Sequence, residues 1–252
     1  CSEVNTAVFG IATSTALPPG LKPVFGIGAK GFDVCSVQFA LHYMFKNNRT
    51  LNACLRNVAE VTKIGGYFIG TCYDGALLFE LLRGKKVGDG EAKRIEDKLV
   101  WSVTRQFSQD RFASDSASLG MAIDVYQETI GKTFREYLVN MQFLEEALQA
   151  YGFTTLTSAD LAEVGLPSSV GNFRVLYDSM VESPGKKARL GDALALSGPQ
   201  MEISFLNNYF IFKKTVQVDA AATERARIGE SASAARSQAA AREAVGEAIA
   251  AS

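Results

Sequence analysis

Two rhythms of apolar and polar residues run along this chain. FDVCSVQ (32–38) is an apolar-to-small run with the look of a buried strand. RTLNACLRNVAEVTKI follows, with Leu51, Leu55, Val58 and Val61 near helical spacing, which predicts an amphipathic helix. Gly65 and Gly66 stand where that helix is expected to end. YFIGTCY (67–73) is apolar or small throughout, the pattern of a strand covered on both faces. Strand, helix and strand in this order predict a βαβ unit and a parallel sheet.

After Asp74, ALLFELLRG predicts a second helix. A charged stretch, GKKVGDGEAKRIEDK, leads to a strand, LVWSVTRQF (99–107). SQDRFASDSAS reads as an exposed loop, and residues 121–139 hold a further strand or two. EYLVNMQFLEEALQAYGF predicts a helix with Leu138, Phe143, Leu144 and Leu148 on one broad side. Residues 158–200 read as loop-rich, and EISFLNNYFIFKK (202–214) as a final strand. Residues 1–31 are rich in Gly, Pro, Ser and Thr and read as loop. From residue 220 the composition shifts to Ala, Arg, Glu and Ser, a good helix-forming mixture with few large apolar residues. The division expected is therefore a loop-rich segment 1–31, a domain over 32–214 and a tail over 215–252. The tail reads first as a frayed appendage and second as a helix that binds a partner.

Composition narrows the function classes. Apolar residues make up 47% of the 252 and the net charge is −1, so any nucleic-acid contact has to come from a local patch. Lys85, Lys86, Lys93, Arg94 and Lys98 are interleaved with Asp89, Glu91, Glu96 and Asp97, a solvated face first and an RNA path second. The cysteines, Cys1, Cys35, Cys54 and Cys72, form no CxxC, and one histidine cannot complete a Cys/His zinc site. Cysteines in strand-like runs behave as small hydrophobes and point to a reducing compartment. No apolar run reaches the roughly 18–20 residues that cross a bilayer, and no signal peptide is recognisable. The chain opens on Cys1, which reads as a fragment, a processed product or part of something longer.

FGIGAKG holds Gly26, Gly28 and Gly31, literally GxGxxG. A cofactor loop needs that pattern between a strand and a helix, and here a strand follows at once. A turn into the strand is the expected role. No other segment offers a strand, glycine loop and helix with an acidic residue ending the next strand, so an α/β cofactor binder of this kind would lack its first half.

His42 is the only histidine, and it sits beside Tyr43 where the first apolar strand ends. FDVCSVQFALHYMF, the LRN helix, GGYFIGTCYDG and the later FREYLV together resemble the messenger RNA cap guanine-N7 methyltransferase family. The spelling GTCYDG is similar to enzymes of large DNA viruses and some protists. The likeness runs from Phe32 to Lys214 and is densest in its first fifty residues. It implies an α/β fold, the class I (Rossmann-like) sheet of S-adenosylmethionine (SAM)-dependent methyltransferases, with the N-terminal half outside this chain. It also implies SAM as methyl donor and 5′-capped RNA as partner. Other capping-enzyme domains, or a larger assembly held through the tail, are further partners it suggests, and no membrane. The compartment it implies is the nucleus, or the cytoplasm, viral factory or virion for a virus. By position, Gln38 lies on the SAM side. Phe39, His42 and Tyr43 line the guanine pocket, with Glu136 opposite them on the guanine edge. Tyr73 stands where relatives often carry a proline near the cap. Asn207 stands where a tyrosine is usual in the last strand, with Tyr209 two residues on as the other aromatic.

The chemistry suits these residue types. Guanine N7 already carries a lone pair, so methyl transfer from a sulfonium needs alignment and no general base. A carboxylate accepts from N1–H and the exocyclic amine, an imidazole donates to O6, and aromatic rings stack on the purine. Two rivals stay open: a methyltransferase-derived scaffolding subunit that has lost SAM binding, and a small-molecule methyltransferase of the same fold.

Overall fold

The computed structural model describes residues 30–230, together with 28 and 233. β1 (Phe32–Gln38) pairs in parallel with β2 (Thr62–Tyr73), and α1 (Asn48–Val61) crosses between them after a 3-10 turn, Leu41–Lys46. This is the βαβ unit the pattern predicts. Asn47 opens α1 with a capping box: its side-chain Oδ1 accepts from Thr50 N and its backbone N–H donates to Thr50 Oγ1. Leu51, Leu55 and Val58 join Phe68, Phe210 and Phe212 in the main core.

The helix ends earlier than the glycines suggest. It stops at Val61, and Gly65 and Gly66 lie inside β2. Residues 63–66 stand opposite Asp33 alone, so the strand bulges, and Gly65 supplies the left-handed turn of that bulge with φ +81°.

β9 (Asn207–Lys214) runs antiparallel along β2, and its far edge takes β7 (Phe153–Thr155) and β8 (Val170–Asn172). At the end of β9, Lys214 is buried with its ammonium donating to Ala59 O and, at 2.8 Å, to Thr62 O. It thereby closes the C-terminus of α1. The result is an α/β fold with a mixed sheet.

A second, antiparallel sheet follows the order β3 (Gly90–Ile95), β4 (Lys98–Arg105), β5 (Ala122–Gln127) and β6 (Lys132–Tyr137). Its core gathers Leu78 from α2 (Gly75–Leu81) with Trp101, Val103, Ile123 and Leu138. The charged stretch is the outer hairpin strand of this sheet. Three of its cations pair with carboxylates: Lys85 with Glu91 (2.6 Å), Lys93 with Glu202 (3.4 Å) and Lys98 with Glu128. Such charges keep an exposed edge strand soluble.

Three further expectations change. The helix expected from Glu136 begins at Met141: Glu136 and Tyr137 pair with Ile123 and Ala122 in β6, and Asn140 caps α3 (Met141–Ala150) by accepting from Phe143 N at 3.0 Å. Leu138 therefore serves the second core, while Phe143, Leu144 and Leu148 serve the first. Residues 158–200 are largely helical: α4 (Ser158–Val164), α5 (Phe173–Glu182), α6 (Pro184–Lys187), a 3-10 stretch (Ala188–Ala195) and α7 (Gly198–Ser204). No residue of α4, α5, α6 or the 3-10 stretch is fully buried, although Phe173, Leu176, Tyr177 and Met180 give α5 an apolar stripe at helical spacing. α7 also delays the final strand to Asn207.

Residues 220–230 are helical and rest on α1. Glu224 pairs with Arg56 at 3.0 Å, Arg227 Nε donates to Asn52 Oδ1 at 2.9 Å, and Ala220 is buried in the main core. This part of the tail has its partner within the chain. Of FGIGAKG, Gly31 N donates to Gly28 O at 2.9 Å in a turn that enters β1, while Gly26 lies outside the described residues. Cys35, Cys54 and Cys72 are free thiols, Cys1 lies outside the described residues, and no described helix is long and apolar enough to cross a membrane.

Candidate functional site

Ligands in α/β sheets sit beyond the carboxyl ends of the parallel strands. β1 ends at Gln38 and β2 at Tyr73, and beyond them opens a cavity of about 550 Å³. The 3-10 turn brings His42 and Tyr43 to it, β2 brings Tyr73, β6 brings Phe134 and Glu136, and β9 brings Asn207. The β5–β6 turn adds Thr129 and Ile130, and the helical layer 173–204 closes the far side with Phe173 and Gln200.

Phe39 enters this wall through a strained backbone. Its φ is +49°, a left-handed conformation that a bulky residue adopts only when its surroundings impose it. The imposition is visible: Phe39 N donates to Thr71 O at 2.9 Å, and the ring meets Phe173 edge-on at 6.3 Å.

His42 and Glu136 face each other across the pocket floor. His42 is 3% and Glu136 8% exposed, and the closest approach, Nε2 to Oε2, is 3.6 Å. Neither ring nitrogen of His42 and neither hydrogen-bond site on Glu136 Oε2 has a partner. Burial lowers His42 to a pKa of about 4 and raises Glu136 to about 7. Neutral imidazole offers one donor and one acceptor, and the carboxyl offers acceptors once it ionises. Tyr43 lies against His42, ring centres 4.2 Å apart, and is 40% exposed on the cavity side. Tyr73 accepts from Gln127 Nε2 at 2.6 Å, which leaves its own proton free. Burial and the nearby Glu136 charge both push the Tyr73 phenol up.

Five of the expected residues thus converge: Phe39, His42, Tyr43, Tyr73 and Glu136. Gln38 stands outside the cavity, at the edge of β1, accepting from Thr71 Oγ1 and donating to Ser36 Oγ, both at 2.9 Å. Tyr209 does not line the cavity. Its hydroxyl meets Ser168 Oγ at 3.2 Å and its ring fills the space beside Gly171, where a Cβ would come within 2.4 Å of that hydroxyl. Asn207 takes the place at the rim of the strand instead. Gln127, Phe173 and Gln200 are additions that no sequence pattern singled out. For Gln200 a signal existed: Ser197–Gly–Pro–Gln is a capping box with proline in the first turn, and it fixes Gln200 at the start of α7. A second, apolar cavity of about 240 Å³ lies between α5 and α7 and shares Phe173, Leu196 and Ser204 with the first. It lacks the buried unpaired polar atoms that mark the larger one.

Gln38, expected on the SAM side, ends β1 with its side chain tied to Ser36 and Thr71. Gln38 and Phe39 form the carboxyl end of β1, but the helix N-terminus that follows β2 is closed by Asp74, which accepts from Ala76 N and Leu77 N. That helix start is therefore not free to meet an anionic group.

Residues 8–215 match the mRNA (guanine-N(7))-methyltransferase domain. The chain belongs to that family. The match starts at residue 8, so the family region begins upstream of Phe32. A probable mRNA-capping enzyme of Acanthamoeba polyphaga mimivirus is 27% identical over 217 residues, covering 78% of this chain and 18% of the viral protein. The mRNA cap guanine-N(7) methyltransferase of Lodderomyces elongisporus is 26% identical over 219 residues, covering 81% of this chain and 36% of the yeast protein. The chain thus spans well under half the length of these relatives. Among solved structures, the CcbJ methyltransferase of Streptomyces caelestis is similar at 14% identity with a TM-score of 0.39, over 77% of this chain and 64% of that one.

Proposed function

We propose that the cavity receives the terminal guanine of a 5′-capped RNA, and that this chain is the acceptor-side part of a cap guanine-N7 methyltransferase. One observation carries the reading: a buried, unpartnered His42–Glu136 pair inside an aromatic-walled pocket. Buried polar atoms without partners are costly, about 1–3 kcal/mol each, so a site that keeps them calls for a ligand that satisfies them. Guanine does so. Its N1–H and exocyclic amine supply donors for Glu136, its O6 accepts from His42, and its faces suit Phe39 and Tyr43. With those edges held, N7 is presented with its lone pair free, and alignment does the chemical work. SAM, when bound, supplies the methyl group on a sulfonium; Gln38 and Phe39 are the residues of this chain nearest that side.

The scaffolding reading gives no reason to keep the orphaned pair, and a small-molecule methyltransferase gives no reason to combine a donor, a carboxylate and stacking rings in guanine order. The name of the mimivirus relative and the 18% of it that this chain spans support a place within a larger capping protein. Such an enzyme works where its RNA is made, in the nucleus or in virus-infected cytoplasm.

The test is titration of an unmethylated guanosine cap dinucleotide, followed by Tyr and Trp fluorescence at pH 7.5. Wild type binds, and Glu136→Gln, equally well folded, binds at least tenfold more weakly. A folded wild-type protein that ignores the dinucleotide overturns the reading.

A further inference from the structure

The pocket holds one more buried atom in the same unsatisfied state. Asn207 is 5% exposed, lines the cavity and opens β9. Its Nδ2 donates to two carbonyls at the end of α7, Ile203 O at 3.0 Å and Ser204 O at 3.1 Å. Two acceptors on that side require the amine there, so the orientation of the amide is fixed. Oδ1 then points elsewhere, and it has no partner. Tyr73 lies directly opposite Asn207 across the β2–β9 pair; its hydroxyl accepts from Gln127 and keeps its proton, yet no hydrogen bond joins it to Asn207 Oδ1. The backbone is held as firmly as the side chain: Asn172 Nδ2 donates to Phe205 O at 2.9 Å and to Asn207 O at 3.1 Å.

We infer that Asn207 Oδ1 is a second acceptor of the pocket, and that it takes a hydrogen bond from the substrate nucleoside. The inference rests on the guanosine reading above and adds to it a specificity-determining residue on β9. The donor is an N–H or O–H that Glu136 leaves free. In guanosine that is either the second hydrogen of the exocyclic amine or a ribose hydroxyl. Asn207 is suited to the role because α7 spends both of its donors, which makes the residue a pure acceptor. A pure acceptor rejects any nucleoside that presents a lone pair at this point.

Three cap dinucleotides separate the sources: one with guanosine, one with inosine, which lacks the amine, and one with 2′,3′-dideoxyguanosine, which lacks both ribose hydroxyls. They are titrated against wild type, Asn207→Leu and Asn207→Ser. Leucine keeps the branched shape, is somewhat larger and has no acceptor. Serine keeps a hydroxyl for the α7 carbonyls but lacks the reach into the cavity, and it carries the test if the leucine protein does not fold. Both variants should bind the guanosine cap roughly tenfold more weakly than wild type. Each should also lose its discrimination against one of the two analogues while keeping it against the other. The analogue that no longer matters identifies the donor. Equal weakening toward all three ligands makes Asn207 a merely structural residue, and unchanged binding leaves its oxygen without a role; either overturns the inference while guanosine binding by wild type still stands. Absence of wild-type binding removes the guanosine reading and this inference with it.

Discussion

Lys214 and the His42–Glu136 pair meet burial in opposite ways. Lys214 is 1% exposed, and its ammonium is spent on the carbonyls of Ala59 and Thr62. Arg105 behaves alike, with its guanidinium donating to Phe107 O (2.9 Å), Leu82 O (3.2 Å) and Gln109 O (2.6 Å). His42 and Glu136 are almost as deeply buried, yet both His42 ring nitrogens and Glu136 Oε2 are without a hydrogen bond, 3.6 Å from each other at the closest. The first kind of site closes the fold on itself. The second is left open by the fold, and the proposed guanine would complete it. Burial of a charge therefore says little about function until its partners are counted.

The largest effect expected is on the satisfied site. Lys214→Ala strips a donor from two buried carbonyls at the end of α1 and removes a buried aliphatic stem. The loss should be about 3 kcal/mol or more in urea unfolding. Cap-dinucleotide affinity of the folded fraction should not move. Weakened binding at unchanged stability would erase the distinction between the two sites.

Glu136→Gln is the reverse case. The amide replaces one acceptor with a donor that faces guanine N–H groups, so affinity should fall tenfold or more, about 1.4 kcal/mol at least. SAM affinity should stay the same, because the defect is on the acceptor side. Stability at pH 7 should be unchanged or slightly higher, since a buried carboxyl that resists ionisation is removed. The same carboxyl makes cap binding pH-dependent. Only the ionised form accepts two N–H donors, and its pKa is about 7, so wild-type affinity should decline as pH falls below that value. The glutamine variant should show a flat profile from pH 6 to 8, and a slope retained there would assign the titration to another group.

These contrasts also explain what could be read from the sequence. The βαβ unit was legible because its residues are buried in rhythm: Leu51, Leu55 and Val58 recur at helical spacing, and β2 is apolar on both faces. The site residues were legible only through the resemblance, since spacing alone does not bring Glu136 to His42 from 94 positions away in the chain. β3 and the helices of 158–204 bury little, and periodicity records burial, not hydrogen bonding. Glu136 sat in a stretch that reads as helix because Leu138 appeared to continue the stripe of α3; the Asn140 cap was the sign that the helix starts later. Asn207 could not be read as an acceptor at all, because its role depends on what α7 does with its amine.

Tyr43→Ala asks whether the aromatic wall belongs to the ligand or to the core. The ring is already 40% exposed, so its loss should cost little stability. Stacking on a base should be lost, about 1 kcal/mol, the low end of the range for such contacts. That is roughly a fivefold weakening of cap binding at constant unfolding midpoint. Unfolding without a separate binding defect would move Tyr43 to the structural side of the comparison.

The smallest effect is expected where two larger ones cancel. His42 titrates at about 4 in the folded chain against 6.5 unfolded, so the unfolded state binds more protons between those values and stability rises with pH there. Glu136 titrates at about 7 folded against 4.5 unfolded, so the folded state binds more protons and stability falls with rising pH over that window. Between about pH 4.5 and 6.5 the two slopes have opposite sign and similar size, near 1.4 kcal/mol per pH unit each at most. The carboxylates held low by cationic partners, Asp33 by Lys63 and Asp160 by Lys213, change at lower pH and do not enter this window. Wild-type stability should therefore be nearly flat from pH 4.5 to 6.5 in the absence of ligand. Glu136→Gln leaves the histidine slope alone, and its unfolding free energy should climb with pH across the window. His42→Phe leaves the carboxyl slope alone and should decline. Matching slopes in both variants would mean that the pair does not share the pocket floor as an unpaired histidine and an unpaired acid, and the contrast with Lys214 would lose its physical basis.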